Sequence, residues 1–388
     1  MTDAYSSVLI DGGKVVTPTE TVEGTIRLSG KKIESVNADS VTPAERRVEA
    51  NGALIMPGFV DIHGDDIEQH LFPRERAEMP PKAALRTADK TNLTAGVTTK
   101  FHAIPFETEP EKNRSIPFSA NLARLISDDS DLVIDHRVNA RCRVSEPEAV
   151  WTVQQLVTEQ RVDLLSIGTV EPGKGQFTSP DRFIEWYSGN VANCREPDYT
   201  AQEAQHYISE NPQTVDGTLN SRIKQIADKA RNSEVVLISH DDESSVEVNG
   251  MCQHGAVISE YPVTSEAAMT ATESGMTTAM GAPNLVQDGS LFGNLDAAEA
   301  IDSGLLDVLC VDYYPPSMLA SVFVDTGEAL HQRVSRVTQK PADAVGLTDR
   351  GRLETGCRAD IVVIDPNPYP TVEYVFVGGK PLYQKGST

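Results

Sequence analysis

The chain has 388 residues and is strongly acidic, with 57 Asp and Glu against 34 Lys and Arg and a formal net charge of -23. This length allows one large domain with a smaller one, or two or three domains of ordinary size. A surface of this charge repels nucleic acid and anionic lipid, which excludes general binding to either partner. Because salt screens such self-repulsion, we expect a halophilic protein from a cytoplasm of high ionic strength, with an ordinary acidic protein as the alternative.

The sequence predicts a cytoplasmic location. No apolar run approaches the roughly 18 residues that a membrane-spanning helix needs, and the N-terminal stretch MTDAYSSVLIDGG lacks the regions of a signal peptide. The five cysteines are odd in number and include no C-x-x-C pair. Neither a disulfide framework nor a thiolate zinc site is therefore expected.

The two ends of the chain have the same character. Residues 7–55 alternate short apolar stretches with turn signals, as in SVLIDGGKVVTP and GTIRLSGKKIESV, and so does the C-terminal GRLETGCRADIVVIDPNPYPTVEYVFVGG. Such alternation predicts antiparallel strands. We therefore expect residues 1–56 and 351–388 to form one small composite β domain, a β-sandwich built from both termini.

Residues 57–350 alternate β-branched runs with amphipathic stretches. The runs include GVTTKFHAI, LVIDHRVNARCRV, VDLLSIGTV, VVLISHDDE and LDVLCVDYYPP. Between them, RIKQIADKARN places apolar residues at helical spacing: Ile223, Ile226, Ala227 and Ala230. Repeated strand and helix units over about 250 residues predict an α/β fold, a (β/α)8 TIM-like barrel. A doubly wound open sheet is the alternative, although no glycine-rich dinucleotide fingerprint supports it.

Polar side chains collect where three of these predicted strands end. His63 and Asp65 follow the apolar run in MPGFVDIHGDD, His240 ends VVLIS, and Asp312 ends LDVLCV. The chemistry of such barrels takes place at the carboxyl ends of the strands. Imidazole and carboxylate together suit a zinc-like divalent cation, with manganese or iron as alternatives, and Asp312 could take the proton of a metal-activated water.

Seven longer motifs are typical of one family. They are MPGFVDIH, HGDDIEQHLFPR, ISHDDE, VISEYPVTSEAA, MGAPNLVQDGS, LDVLCVDYYPPSML and PADAVGLTDRGRL. With them the chain resembles the amidohydrolase superfamily and, within it, the PhnM diphosphatases of phosphonate metabolism. The resemblance implies one or two divalent metal ions and hydrolysis of ribose 1-methylphosphonate 5-triphosphate, or of a related phosphorylated sugar, with release of pyrophosphate.

The resemblance also implies roles for single residues. It assigns the metal ligands to His63, Asp65, His240 and Asp312. Asp312 and His240 would be the catalytic groups, Asp312 as the general base. Tyr313 and Tyr314 lie in the DYYP loop that the family places beside the substrate.

Four positions depart from the family pattern. Asn139, Val170 and Leu291 stand where histidines are expected, and Arg143 stands in place of a glutamate. An arginine stays protonated and cannot ligate a metal, so the sequence leaves open two ions, one or none. His102 and a carboxylated Lys100 are candidates to complete the site. Alternatively, His102 packs in the core and Lys100 is a surface or phosphate-contacting charge.

A phosphorylated substrate requires cationic groups in the site. Arg137, Arg141 and Arg143 alternate in RVNARCR, and Lys174 lies in PGKGQF. Arginine matches phosphate oxygens in a bidentate manner, whereas salt bridges to the abundant acids are the alternative role. We thus predict a small phosphorylated substrate and a homo-oligomer. A cyclic amide hydrolase or deaminase, and a non-catalytic binding protein that has lost metal ligands, stay open.

Overall fold

The computed structural model describes most of the chain and contains two sheets of eight strands each. The described residues are 6–37, 43–74, 77–109, 112–168, 175, 177, 179–188, 200–210, 217–287, 289–291 and 293–386. One sheet comes from the two ends of the chain, and the other from its middle.

Both termini contribute to the first sheet. Its strands are β1 Ser7–Val16, β2 Thr21–Ser29, β3 Lys32–Val36, β4 Arg46–Glu49, β5 Leu54–Pro57, β14 Ile361–Asp365, β15 Thr371–Val377 and β16 Lys380–Gln384. β14 pairs antiparallel with β5, and this pairing joins the C-terminal strands to the N-terminal ones. The predicted composite β unit is therefore confirmed, whereas its limits at residues 56 and 351 stay a prediction.

The second sheet is parallel, and its strands follow one another in chain order. They are β6 Phe59–Gly64, β7 Val97–Phe106, β8 Asp135–Arg143, β9 Leu164–Gly168, β10 Val236–His240, β11 Ile258–Glu260, β12 Thr277–Gly281 and β13 Val308–Cys310. Apolar side chains from these strands pack together in one cluster, including Ile62, Phe101, Ile238 and Val308. The sheet is thus a filled barrel, as in (β/α)8 proteins, and the predicted fold class is confirmed.

Helices follow most of the barrel strands. The described helices are α1 Ile67–Leu71, α2 Pro81–Thr94, α3 Ile116–Asp128, α4 Pro147–Thr158, α5 Pro180–Tyr187, α6 Ala201–Glu210, α7 Gly217–Asn232, α8 Ser245–His254, α9 Ser265–Glu273, α10 Ala282–Val286, α11 Ala297–Asp302, α12 Pro316–Val322, α13 Leu330–Ser335 and α14 Gln339–Ala344. On α7, the predicted apolar stripe is buried at Ile226, Ala227 and Ala230. Among the described residues, no helix has the length and apolar character needed to cross a membrane.

The barrel closes between its first and last strands, β6 and β13. The backbone N–H of Asp312 donates to the carbonyl of His63 at 2.9 Å, and the N–H of Asp65 donates to the carbonyl of Asp312, also at 2.9 Å. These hydrogen bonds lie at the carboxyl ends of both strands. The closure therefore brings residues about 250 positions apart in sequence to one point of the rim.

Candidate metal centre

Three side chains at strand ends converge inside the rim. His63 on β6, His240 on β10 and Glu260 on β11 each offer one ligand atom, and these atoms lie within 4.8 Å of one another. His63 Nδ1 approaches Glu260 Oε2 to 2.9 Å without a hydrogen bond of normal geometry. Two imidazoles and a carboxylate at this separation form the kind of donor set that zinc prefers.

Neighbouring side chains orient the three donors. Ser166 on β9 donates from its Oγ to Glu260 Oε2 at 2.9 Å, and Asp241 Oδ2 lies 3.0 Å from His240 Nδ1. The ring of Tyr261 meets His63 edge to face, with 5.0 Å between ring centroids. A carboxylate next to an imidazole fixes its tautomer and orientation, as around metal-binding histidines.

Glu260 keeps its charge although it is fully buried. Burial raises the pKa of its carboxyl, but His63, His240 and Ser166 outweigh burial and lower that pKa below its ordinary value. Its Oε1 atom is buried and makes no hydrogen bond with any described residue. Buried carboxylate oxygens are normally satisfied, so this atom is available for a cation. The residues therefore fit the predicted divalent metal.

Asp65 and Asp312 line the same cleft beside this centre. Burial, followed by the charge of Asp65, raises the pKa of the Asp312 carboxyl well above its ordinary value. Gly281 leaves room for it, because a Cβ there would lie 2.6 Å from Asp312 Oδ2. Asp65 and Asp312 fall outside the group of three converging donors, and their roles as ligands and as general base stay predictions.

Three residues just beyond strand ends have left-handed backbone conformations. Asp241 has φ 60°, Tyr261 has φ 56° and Asp312 has φ 56°. They follow β10, β11 and β13. Non-glycine residues seldom adopt this region, and such residues cluster at functional sites.

A cleft that is partly open to solvent lies above the metal centre. The loops after β11, β12 and β13 supply much of its lining: Pro262, Val263, Asn284, Gln287, Ser290, Leu291, Asn294 and Tyr313. The cleft therefore offers polar groups and an apolar wall opposite the metal centre.

A second, smaller cavity shares two lining residues with the cleft. Arg141 and His240 line both cavities, while Arg143 and Glu107 line only the smaller one. Arg141 approaches Asp65 at 3.7 Å. The two arginines that alternate near the end of β8 thus lie where an anionic group of a substrate would reach them.

The positive charge in the smaller cavity is partly neutralised. Glu107 forms ion pairs with Arg143 and, at 2.6 Å, with Arg114. Burial raises the pKa of Glu107, but Arg143 and Arg114 together lower it to about 2. The charge of Arg143 is therefore compensated by Glu107, whereas Arg141 faces both cavities.

The structure corrects the two supplementary metal-ligand candidates. Lys100 forms ion pairs with Asp61 and Asp66 and does not line the cleft. His102 stacks on His136, which contacts Asp89 of α2 at 3.0 Å. Even-numbered residues of β7 point away from the barrel interior, because Phe101 packs inside it. The spacing correctly predicts that the two side chains share one face of β7, but this is the outer face of the barrel.

Two predicted substrate contacts are also corrected. Arg137 lies near the amino end of β8, where it pairs with Asp135 at 3.2 Å, and it does not reach the cleft. Tyr314 is 54% exposed and does not line the cleft, whereas Tyr313 does. Alternation along a strand places residues on one face, but only the last positions of a strand reach the rim.

The positions that depart from the family pattern have different surroundings. Asn139 is fully buried, and its Nδ2 donates to the carbonyl of Ile62 at 3.1 Å. Arg143 pairs with Glu107, as given above. Lys174 and Val170 lie outside the described residues.

Glu260 is the donor that the sequence analysis missed. It lies in the motif VISEYPVTSEAA, at the end of the three-residue strand β11. The rule that found His240 and Asp312 applies to it as well, since it too ends an apolar run. A single acid after so short a strand does not stand out in a chain with 57 acidic residues.

Comparisons with known proteins agree with this geometry. The sequence profile of the amidohydrolase family matches residues 318–383. The α-D-ribose 1-methylphosphonate 5-triphosphate diphosphatase of Escherichia coli K12 is 28% identical over 385 residues, which cover 97% of this chain and all of that protein. Along almost its whole length the chain therefore resembles the amidohydrolase superfamily.

Solved structures of amidohydrolases share the architecture. A prolidase crystallised with N-methylphosphonate-L-proline superposes with a TM-score of 0.63 at 15% identity and covers 98% of this chain and all of its own. A D-hydantoinase from Bacillus sp. AR9 gives a TM-score of 0.64 at 13% identity, with 97% of this chain and 95% of its own covered. At these identities the likeness concerns the fold alone. Members of this superfamily are hydrolases that typically depend on a divalent metal.

Proposed function

We propose that this amidohydrolase is a metal-dependent phosphohydrolase. It hydrolyses the triphosphate of ribose 1-methylphosphonate 5-triphosphate, or of a related phosphorylated sugar, and releases pyrophosphate. The observation that carries the proposal is the position of Arg141, which lines both cavities next to the converging His63, His240 and Glu260. The full-length similarity to the Escherichia coli diphosphatase supports the same substrate class.

His63, His240 and Glu260 would hold the metal ion, with zinc as the first candidate and manganese or iron as alternatives. When bound, a divalent ion polarises a phosphoryl oxygen and lowers the pKa of water. The carboxylate of Glu260 supplies negative charge to this position, and Ser166 holds its Oε2 atom in place. The number of ions is one in this proposal, because Arg143 and Asn139 offer no further ligand of the expected kind.

Asp312 transfers the proton in the proposed reaction. Burial and the charge of Asp65 raise the pKa of its carboxyl well above its ordinary value and so make the carboxylate a stronger base. The carboxylate accepts a proton from the attacking water and returns it to an oxygen of the pyrophosphate that leaves.

Arg141 binds the phosphate groups. Its guanidinium can form charge-assisted, bidentate hydrogen bonds to phosphate oxygens. Arg143 and Ser166 line the adjoining cavity and extend this polar surface. A neutral cyclic amide offers no anionic group to Arg141, whose ion pair with Asp65 is a long one of 3.7 Å. We therefore favour a phosphate substrate over an amide.

The test compares two arginines of the same strand. Zinc-loaded protein is assayed for pyrophosphate release from ribose 1-methylphosphonate 5-triphosphate, and for opening of a hydantoin ring. We expect Arg141→Met to raise KM for the triphosphate about 10- to 100-fold, the loss of one or two charge-assisted hydrogen bonds. Arg137→Met is the control and should leave KM unchanged, since Arg137 lies at the other end of β8.

Two results would overturn this proposal. Hydrolysis of the hydantoin without any cleavage of the triphosphate would assign the site to C–N bonds. Binding of the triphosphate without turnover, in protein that contains metal, would indicate a binding protein.

A further inference from the structure

Lys100 lies in a buried group of charges behind β6. Its Nζ is 2.8 Å from Asp61 Oδ2 and 2.5 Å from Asp66 Oδ1, and none of the three side chains is more than 2% exposed. Taking three charges out of water is costly, and the attraction between buried charges often fails to offset that cost. Stability alone is therefore a weak explanation for this group.

Asp61 connects Lys100 to the metal centre. Its Oδ1 accepts hydrogen bonds from the backbone N–H of His63 at 3.2 Å and of Val311 at 2.8 Å. His63 is one of the three converging donors, and Val311 directly precedes Asp312. One carboxylate thus holds the backbone on both sides of the closure between β6 and β13.

Asp66 attaches the same group to the helices. Its Oδ2 accepts a hydrogen bond from Asn92 Nδ2 on α2 at 2.8 Å. Asp66 follows Asp65, which lines the cleft, and directly precedes α1. Lys100 therefore stands between two carboxylates that flank His63 and Asp65 in the chain.

Gly64 allows this close packing. A Cβ on Gly64 would lie 1.7 Å from Lys100 Nζ and 2.6 Å from Asp61 Oδ2. Gly64 also forms the bridge to Asp312 that closes the barrel. The ammonium group thus packs directly against the backbone where the two halves of the site meet, and a side chain at residue 64 would displace it.

We propose that Lys100 is a positioning residue. By holding the Asp61 carboxylate, it fixes the backbone of His63 and of Val311, and so sets the distance between the metal donors and Asp312. This inference rests on the metal centre of the proposed function. Lys100 lies on the outer face of the barrel, and this position excludes ligation of the metal ion. The proposal gives the buried lysine a positioning role instead.

The experiment measures the zinc dissociation constant by competition with a chelator, and the melting temperature of the metal-free protein. We expect Lys100→Met to weaken zinc binding about 10- to 100-fold, the usual effect of losing a group that orients a ligand. Its metal-free form should also melt at a lower temperature, since Asp61 and Asp66 lose their counter-charge. Lys224→Met is the control, because Lys224 is exposed on α7, and it should change neither quantity.

A double variant separates positioning from packing. In Lys100→Met/Asp61→Asn the amide oxygen still accepts hydrogen bonds from His63 and Val311, but no unpaired charge is left at residue 61. We expect this variant to recover most of the lost zinc affinity. If Lys100→Met does not fold, the double variant is compared with Asp61→Asn alone. Equal zinc affinities support the proposal, because Lys100 is proposed to act through the charge of Asp61, and a tenfold lower affinity in the double variant overturns it.

The remaining outcomes are distinct. A lower melting temperature of Lys100→Met with an unchanged zinc dissociation constant would reduce Lys100 to a packing role and overturn this inference only. A wild-type protein that binds no zinc, manganese or iron would overturn the proposed function, and the positioning role with it.

Discussion

The two ends of the barrel both contain buried charges, but they use them differently. At the amino end, Arg350 is 5% exposed and pairs with Asp135 at 2.6 Å and with Asp349 at 2.9 Å. At the carboxyl end, Glu260 retains a buried oxygen without a hydrogen bond to any described residue. Native proteins satisfy nearly all buried polar groups, so this oxygen of Glu260, beside two imidazoles, is available for a cation.

The pKa shifts of two aspartates show the same contrast. Burial raises the pKa of Asp135, but Arg137 and Arg350 outweigh burial and lower it below its ordinary value. Asp312 is shifted the other way, because burial and Asp65 act together against a weaker effect of Arg141. A carboxylate held in its charged form serves the fold, whereas one poised to take up a proton serves chemistry.

Replacement of Asp312 by Asn is expected to give the largest effect. The amide is isosteric but cannot accept the proton of water, so kcat should fall about 10²- to 10⁴-fold, the usual contribution of a general base. Steady-state kinetics on zinc-loaded protein measures this. The melting temperature serves as the control and should not fall, because the change removes a buried carboxyl whose charge is disfavoured. Unchanged kcat would show that Asp312 is not the base.

Replacement of Arg350 tests the ion pairs at the amino end of the barrel. Arg350→Met leaves Asp135 without its closest partner, and we expect a loss of about 3 kcal/mol in the free energy of unfolding, the low end for breaking a buried pair. Arg137 and Arg358 remain near Asp135 and limit the loss. Denaturant unfolding gives the value, and kcat of the folded variant should stay at the wild-type level. A drop in kcat without a drop in stability would contradict the division between the two ends.

The stability of the protein at low pH tests the ion pairs of the smaller cavity. The pKa of Glu107 is about 2 in the folded protein, below its ordinary value of 4.5. Folding lowers the pKa of Glu107, so its carboxylate stabilises the folded protein fully above about pH 4.5. This stabilisation is lost as the pH falls towards 2. Glu107→Gln should therefore be less stable than wild type at neutral pH, and the difference should shrink in acid. Melting temperatures from pH 7 to pH 3 provide the comparison, and a difference independent of pH would refute it.

Salt should have the smallest effect, and it concerns the surface rather than either end of the barrel. With a net charge of -23, the folded chain repels itself, and we expect the melting temperature to rise as salt is added from a low-salt buffer. A melting temperature that does not depend on salt would count against the expected halophilic character.

The sequence predicted the fold well because its signals are local and repeated. Most barrel strands lie in β-branched or apolar runs, and the stripe on α7 has helical spacing with its buried face at Ile226, Ala227 and Ala230. Strand ends also identified His63 and His240, since a polar residue after an apolar run is visible without a structure.

The site was harder to predict because it depends on distance along a strand and on the face of the strand. Arg137 shares a face with Arg141, yet it lies four residues nearer the amino end and pairs with Asp135. Lys100 and His102 share a face too, but that face meets α2 and not the cleft. Glu260 was overlooked because a three-residue strand gives little periodicity.

Metal content tests the central claim most directly. Protein purified without chelator or affinity tag is analysed for zinc, manganese and iron, together with Glu260→Gln, which retains the size of the side chain but loses its charge. The account predicts about one metal ion per chain in the wild type, held by His63, His240 and Glu260, and a clear loss in the variant. Wild-type protein that neither contains nor takes up metal, or a Glu260→Gln variant with the full wild-type content, would contradict it.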